Sequence, residues 1–429
     1  MPTISAVQGE TVGRRGTSAA LAGLVALVVL AGAPATGLDY EYTATPASGP
    51  PGATVTLSGG GCPVGSDGIA VDLLDPAGDH VLASASMSGG TSWSGAVAVP
   101  AEARNGSYGL LVRCGASGYL APMRRFTVDG GTSGVRLAGA SRIATAVAVS
   151  RDLHPDGGTA DAVVLSRFDG YADALAGSPL AASLGAPLLL TAPATLDPVT
   201  RAEIERVLVP GGAVHVLGGR AAISDAVAAQ LTTMGYRVVR YAGANRYDTA
   251  VRIARTFGPP GAVLLANGND FREGLVAGVA AAQAGQDAPA VLLLTNGRSL
   301  PAETRAYLDD LRGVSTFAVG APAAAAMPTA VPLVGADAAD TSRKVAAQFF
   351  PAPAAVGLAN ASSFADGLAG GAHAAANGAP LLLTNPGALP PTVRTYLVDR
   401  RAAVVIAFVY GGTGAVADTT FQAARAAIT

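Results

Sequence analysis

The chain has 429 residues, enough for two or more domains, each with its own core. Half of the residues are hydrophobic but only 5% are aromatic, so those cores are built from Ala, Val and Leu. A formal net charge of -2 excludes a general nucleic-acid binder, which needs a basic face to release counterions, and no nucleic-acid partner is expected.

At the N-terminus, Arg14-Arg15 precede an apolar run from Ala19 to Ala33, and Ala33-Pro34-Ala35 supplies a small-x-small cleavage site. Residues 1–35 therefore read as a signal peptide. The run is too short for a membrane span, and no second segment of spanning length follows, so no membrane contact is expected after cleavage. In an exported chain the two cysteines, Cys62 and Cys114, read as one disulfide.

Between residues 36 and 128 the texture is all-β. The runs ATVTLSG, IAVDLLD, VLASASM, WSGAVAV, YGLLVRC and RRFTV alternate apolar and polar residues, and Gly-, Asp- and Asn-rich turns separate them. Six such strands predict a small Ig-like β-sandwich with Trp93 in its core. Residues 129–134, DGGTSG, have the composition of a linker.

Beyond residue 134 the texture becomes α/β. The pattern predicts a strand over 135–139, a helix over 142–153 and a strand over 162–166. A helix over 171–185, a strand over 187–191, a helix over 197–208, a strand over 213–219 and a helix over 224–235 follow. A strand over 237–243 then opens the next unit. This alternation implies parallel sheets covered on both faces. It also repeats. Gly139, Gly243 and Gly335 hold one equivalent position, and Tyr171, Phe271 and Phe364 hold another. An LLLT segment ends at Thr191, Thr295 and Thr384. The units run over 135–240, 241–332 and 333–429.

The pattern of strand-Gly-x-x-Arg, Thr, an aromatic followed by an acid, then LLLT, resembles the cell wall binding repeat 2 family. That resemblance covers about residues 135–429. It implies three Toprim-like α/β modules in a pseudo-threefold arrangement, and a monomer that is internally a pseudo-trimer. It also implies a secreted protein of the Gram-positive cell surface. Its expected partner is a cell-wall polysaccharide or an anionic secondary wall polymer, held without catalysis or a cofactor. The motif falls on Gly139, Arg142 and Thr145, and on Gly243, Arg246, Tyr247 and Thr249. The third copy keeps Gly335 and Thr341 but has Ala338 where Arg is expected.

Candidate ligand contacts lie where each parallel strand enters its second helix, because backbone N–H groups and the helix dipole face outward there. In the first module these are Ser166, Arg167, Asp169 and Thr191; in the second, Asn267, Asn269, Arg272 and Thr295; in the third, Asn360, Ser362, Ser363 and Thr384. Their donors suit the hydroxyls and phosphates of a glycan. Asp173, Glu273 and Asp366 are expected in a first helical turn, where a carboxylate offsets the helix dipole. Arg142 and Arg246 have two readings: a clamp for an anion, or an internal pair with carboxylates such as Asp248 and Asp340. The four histidines, His80, His154, His215 and His373, recur in no repeat and at no metal spacing, so each reads as incidental and no metal is expected. No P-loop or nucleophile elbow occurs. The competing readings are a wall amidase or hydrolase with its activity in residues 36–134, and a secreted adhesin.

Overall fold

Alternating residues build the N-terminal layer. The structure is a computed structural model, and it describes residues 42–429 apart from 61–67, 75–80, 88–91, 102, 115–118, 121–122, 130–132 and 285–288. The expected signal peptide, Cys62, His80 and the side chain of Cys114 lie outside the described residues. The first strands are β1 (Tyr42–Thr45), β2 (Ser48–Gly49), β3 (Thr54–Gly60), β4 (Ile69–Leu74) and β5 (Val81–Met87). They are followed by β6 (Ser92–Ala98), β7 (Gly106–Cys114), β8 (Tyr119–Leu120) and β9 (Arg124–Val128). One sheet runs β1-β3-β6 and the other β2-β9-β7-β4-β5, with β8 on β7. All six strands expected from sequence are present. Val55, Leu57 and Val97 from the first sheet meet Val71, Leu73, Leu110 and Phe126 from the second in one core. The buried Tyr42 hydroxyl donates to Leu110 O at 2.6 Å and accepts from Arg124 N at 2.9 Å, so the sheets are also joined by polar contacts.

The remainder is mixed α/β with three parallel sheets. It opens with β10 (Gly134–Leu137) and α1 (Arg142–Leu153). Then come β11 (Ala160–Arg167), α2 (Gly177–Ser183), β12 (Leu188–Thr191), α3 (Pro198–Val207), β13 (Leu208–Leu217), α4 (Asp225–Thr233) and β14 (Arg237–Tyr241). The second copy comprises α5 (Arg246–Ala254), β15 (Ala262–Asn267), α6 (Phe271–Ala284), β16 (Ala290–Thr295), α7 (Ala302–Asp309), β17 (Ser315–Val319), α8 (Ala321–Ala326) and β18 (Val331–Leu333). The third comprises α9 (Ala338–Phe349), β19 (Ala355–Asn360), α10 (Ala365–Ala376), β20 (Leu381–Thr384), α11 (Pro391–Asp399), β21 (Ile406–Tyr410) and α12 (Asp418–Ile428). The LLLT strands are buried on both faces, as a central parallel strand must be.

Two expectations are corrected. The strand at the start of the first unit does not join the first sheet. The sheets run β12-β11-β13-β14, β16-β15-β17-β18 and β20-β19-β21-β10. Thus β10, beginning at Gly134 inside the expected linker, pairs in parallel with β21 of the third module, Gly134 opposite Ala407 and Leu137 opposite Tyr410. Its following helix α1 packs instead on β12 and α3 of the first module. The same exchange recurs: β14 completes the first sheet while α5 packs on β16, and β18 completes the second while α9 packs on β20. Each strand-to-helix link therefore crosses from one module to the next, and β10 closes the cycle. The helices α2, α6 and α10 pack against one another inside it.

The second correction concerns the helix expected over 171–185. Only Gly177–Ser183 is helical, and residues 171–176 form successive turns, with Ala174 N donating to Tyr171 O and Gly177 N to Ala174 O. Pro179 explains it. In a helix starting at residue 171 its ring would clash with the carbonyl of Leu175, whereas in the first turn after Gly177 its missing N–H costs nothing. The second and third copies have Val279 and Ala372 at the equivalent place, and their helices start at Phe271 and Ala365.

Candidate functional site at the strand C-terminal loops

The recurring Gly and Thr of the motif fasten strand to helix. Gly139 N donates to Thr145 Oγ1 at 3.1 Å, Gly243 N to Thr249 Oγ1 at 3.1 Å and Gly335 N to Thr341 Oγ1 at 3.0 Å. A Cβ at these glycines would stand 2.2 to 2.4 Å from helix backbone atoms, so no other residue fits without a shift. Ser141, Asn245 and Asp337 then cap the helices by accepting from backbone N–H groups. This places Arg142 and Arg246 at the first helical position, facing the loop after the next strand.

Neither arginine pairs with the carboxylates named from sequence. Asp248 accepts from Ala244 N and Arg252, and Asp340 from Ala336 N and Arg343. Instead Arg142 Nη1 donates to Phe168 O at 3.0 Å, and Arg246 Nη1 donates to Gly268 O. Each guanidinium also lies over an aromatic ring of the preceding module in the cycle, Arg142 at 5.6 Å from Phe364 and Arg246 at 5.9 Å from Tyr171.

Those rings belong to the repeated aromatic position. Tyr171, Phe271 and Phe364 come together, with centroids 5.7, 5.5 and 6.0 Å apart. The three loops therefore converge on one half-buried aromatic cluster. Each loop is held to its neighbouring LLLT strand by one bond: Phe168 N to Thr191 O, Gly268 N to Thr295 O and Ala361 N to Thr384 O, at 2.8 to 2.9 Å. Asn269 links two modules: its carbonyl accepts from Tyr171 Oη at 3.0 Å, its Oδ1 from Tyr247 Oη at 3.2 Å, and its Nδ2 donates to Asn296.

Placement of the candidate contacts is uneven. Asp169, Asn269, Arg272 and Ser362 are exposed, while Arg167, Asn267 and Ser363 are half-buried. Arg167 is engaged with Asp169 at 2.6 Å, and Arg272 grips Asp270 with two nitrogens. Asn267 Oδ1 accepts from Asn269 N and Gly297 N, which shapes the second loop. Ser166 and Asn360 are buried. Thr191, Thr295 and Thr384 are 0% exposed, and their hydroxyls donate to Thr195 O, Gly297 O and Ala388 O. The expected ligand contact of these threonines is corrected: a hydroxyl sealed in the core and already bonded cannot reach a polymer.

The repeated acids are half-buried against the scaffold. A Cβ at Gly218, Gly320 or Gly411 would lie 2.6 to 2.7 Å from the side chain of Asp173, Glu273 or Asp366 respectively. These glycines end the closing strands with φ of +96°, +86° and +99°, so both backbone angle and acid demand glycine. Burial pushes the Asp366 carboxyl up, against a bond from Thr145 and the charge of Arg142 that lower it. Burial likewise pushes Glu273 up. Glu273 and Asp366 lie in a first helical turn as expected, but Asp173 lies in the turns before α2.

One polar constellation has no counterpart in the sequence reading. His373, 1% exposed, has Nδ1 2.9 Å from Tyr410 Oη and Nε2 3.0 Å from Asp152 Oδ2. Arg104 of the β-sandwich binds the same carboxylate. His373 is thus a junction residue rather than an incidental one, as is His215, whose Nδ1 lies 3.0 Å from Tyr241 Oη. Burial holds His215 at about 4, neutral at physiological pH. Neither recurs in the repeats, so periodicity offers no signal for them. A cavity of about 750 Å3 near Gly158, Arg206, Gly211 and Tyr236 sits at the opposite, N-terminal end of the first sheet, and Arg206 there is committed to Glu203 and His154 O. Among the described residues no helix is long and apolar enough to cross a membrane, and no three His, Cys, Asp or Glu side chains group as metal ligands.

The sequence profile of the cell wall binding domain 2 family matches residues 136–228, 240–326 and 333–421. Over 256 residues the chain is 28% identical to the N-acetylmuramoyl-L-alanine amidase LytC of Bacillus subtilis (strain 168), covering 58% of this chain and 50% of that protein. It is 33% identical over 184 residues to the amidase enhancer of the same bacterium, covering 42% and 25%. The chain thus spans half or less of the length of these two curated relatives. Its fold is similar to that of Cwp6 from Clostridium difficile, with a TM-score of 0.66 at 19% identity over 91% of this chain and 68% of that one. Cwp8 from Clostridium difficile gives a TM-score of 0.62 at 22% identity, covering 76% and 59%.

Proposed function

The chain belongs to the cell wall binding domain 2 family, in three tandem repeats, and is a cell wall and cell surface protein. From that premise we propose that the three modules hold it non-covalently to an anionic secondary polymer or glycan of the bacterial wall. The observation that carries this reading is the convergence of three equivalent loops on Tyr171, Phe271 and Phe364, with Arg142 and Arg246 laid against two of those rings. Aromatic faces and guanidinium N–H groups are the surfaces that sugars and phosphates need. Contacts from several loops on one rigid body reinforce one another through effective concentration.

In this reading the modules are Toprim-like units in a pseudo-threefold ring, so one chain is a complete binding body as a monomer. The N-terminal sheets form an Ig-like sandwich displayed by the ring. The protein catalyses nothing: its repeated acids Asp173, Glu273 and Asp366 each pack under a different closing-strand glycine, serving the scaffold. The similarity to an amidase supports a second reading, in which the modules deliver a wall hydrolase. Incubating purified walls with the full chain separates the two. Retention on the walls without release of peptide or sugar fragments is the expected result; fragment release would replace the first reading by the second.

A further inference from the structure

We propose that only two of the three module junctions carry an anion-accepting subsite, at Arg142 and Arg246, so that one chain grips two anionic groups of its polymer rather than three. This rests on the wall-polymer reading and goes beyond it by fixing where the charge contacts fall.

The three junctions share one construction. In each, a Gly–Thr bond fastens the strand to the start of the helix, and at the first two the first helical residue reaches the loop that follows the next strand. At the first, Arg142 spends one N–H on Phe168 O and rests between the rings of Phe168 and Phe364, 5.8 and 5.6 Å from their centroids. At the second, Arg246 spends one N–H on Gly268 O and rests over Tyr171. A guanidinium has five N–H donors, and among the described residues neither arginine forms an ion pair or another hydrogen bond. Each is thus oriented by a ring and a carbonyl with donors left over; Arg142 is exposed and Arg246 half-buried.

Two carboxylates lie close enough to Arg142 to feel its charge, Asp169 and Asp366. Asp169 is already paired with Arg167. Asp366 accepts a bond from Thr145 and packs against Gly411. Among the described residues neither forms an ion pair with Arg142.

The third junction has the same frame without the cation. Ala338 occupies the first position of its helix. The two cations further along, Arg343 and Lys344, are committed to Asp340 at 2.8 Å and to Val334 O at 2.7 Å. Arg272, next to Phe271 in the chain, is locked on Asp270. The aromatic ring is present there; the oriented guanidinium is absent.

The test compares the full chain with Arg142→Ala, Arg246→Ala and Ala338→Arg for equilibrium retention on purified Gram-positive cell walls, and on the same walls stripped of phosphate-linked polymers by hydrofluoric acid. On unstripped walls each Ala variant is expected to bind about tenfold more weakly, the scale of one charged hydrogen-bonded contact. Ala338→Arg, which removes no contact and so does not depend on how the Ala variants fold, is expected to bind about tenfold more tightly by the same contact. Wild-type retention by both Ala variants, or no gain from Ala338→Arg, overturns the proposal. Equal retention of the wild type on stripped and unstripped walls overturns the polymer reading itself, whatever the variants do.

Discussion

His373 Nε2 lies 3.0 Å from Asp152 Oδ2, a contact that ties α10 of the third module to α1 of the first. On its other side, His373 Nδ1 lies 2.9 Å from Tyr410 Oη, so both ring nitrogens have a partner. Burial alone would raise the Asp152 pKa, but hydrogen bonds and charge from His373 and Arg104 outweigh it and hold the carboxyl well below its ordinary 3.8. A folded value below the unfolded one means stability that is fully present above 3.8 and lost as pH falls through the folded value. Asp152→Ala is expected to cost about 3 kcal/mol near neutral pH, since it strands a buried partner. It is also expected to flatten the acid side of the stability curve. Denaturant titrations from neutral to strongly acidic pH measure both; an unchanged acid limb would show that Asp152 is not the group responsible.

Gly139→Ala is expected to lower stability by about 2 kcal/mol, because its Cβ would meet Ala144 backbone at 2.4 Å. Since β10 belongs to the third sheet and α1 packs on the first, the damage should appear in two modules at once. Faster amide hydrogen exchange is expected at Ala407 and Val409 on β21 as well as along α1. Exchange confined to α1 would contradict the cyclic strand exchange.

Much of this fold is written in local pattern. The six sandwich strands, the LLLT segments and the helix starts other than that of α2 follow from alternation, buried runs and caps that lie within a few residues of one another. The partner of β10 does not, because Val135 and Leu137 would suit either sheet and the choice is made by a strand more than 250 residues away. The short α2 was legible in principle, since Pro179 alone forbids the longer helix. The aromatic repeat pointed to Tyr171, Phe271 and Phe364, and only packing reveals that the rings touch. The buried state of Thr191 was hidden for the opposite reason: a strand-end threonine looks the same in sequence whether it faces solvent or caps a turn.

Thr191→Val is expected to lower stability by about 1 kcal/mol, the net worth of a buried hydrogen bond, while leaving wall retention unchanged. Its hydroxyl donates to Thr195 O and accepts from Asp197 N at 2.9 Å, which sets the approach to α3. A variant that kept its melting temperature but lost retention would return Thr191 to the ligand site.

Arg167→Ala removes a part-exposed ion pair, so its melting transition should move by less than about 0.5 kcal/mol. Retention should nevertheless fall, because Asp169 loses its partner and competes for Arg142. Asp169→Asn in the same chain is expected to restore retention. Failure of that second change to rescue would show that Arg167 itself contacts the polymer.

The central claim is that the three-module body recognises a secondary polymer of the wall. Its most direct test is retention of residues 131–429 on cell walls before and after the secondary polymers are removed, with the peptidoglycan left intact. Binding to the untreated walls and its loss from the stripped ones is the expected result. Equal retention on both would contradict it.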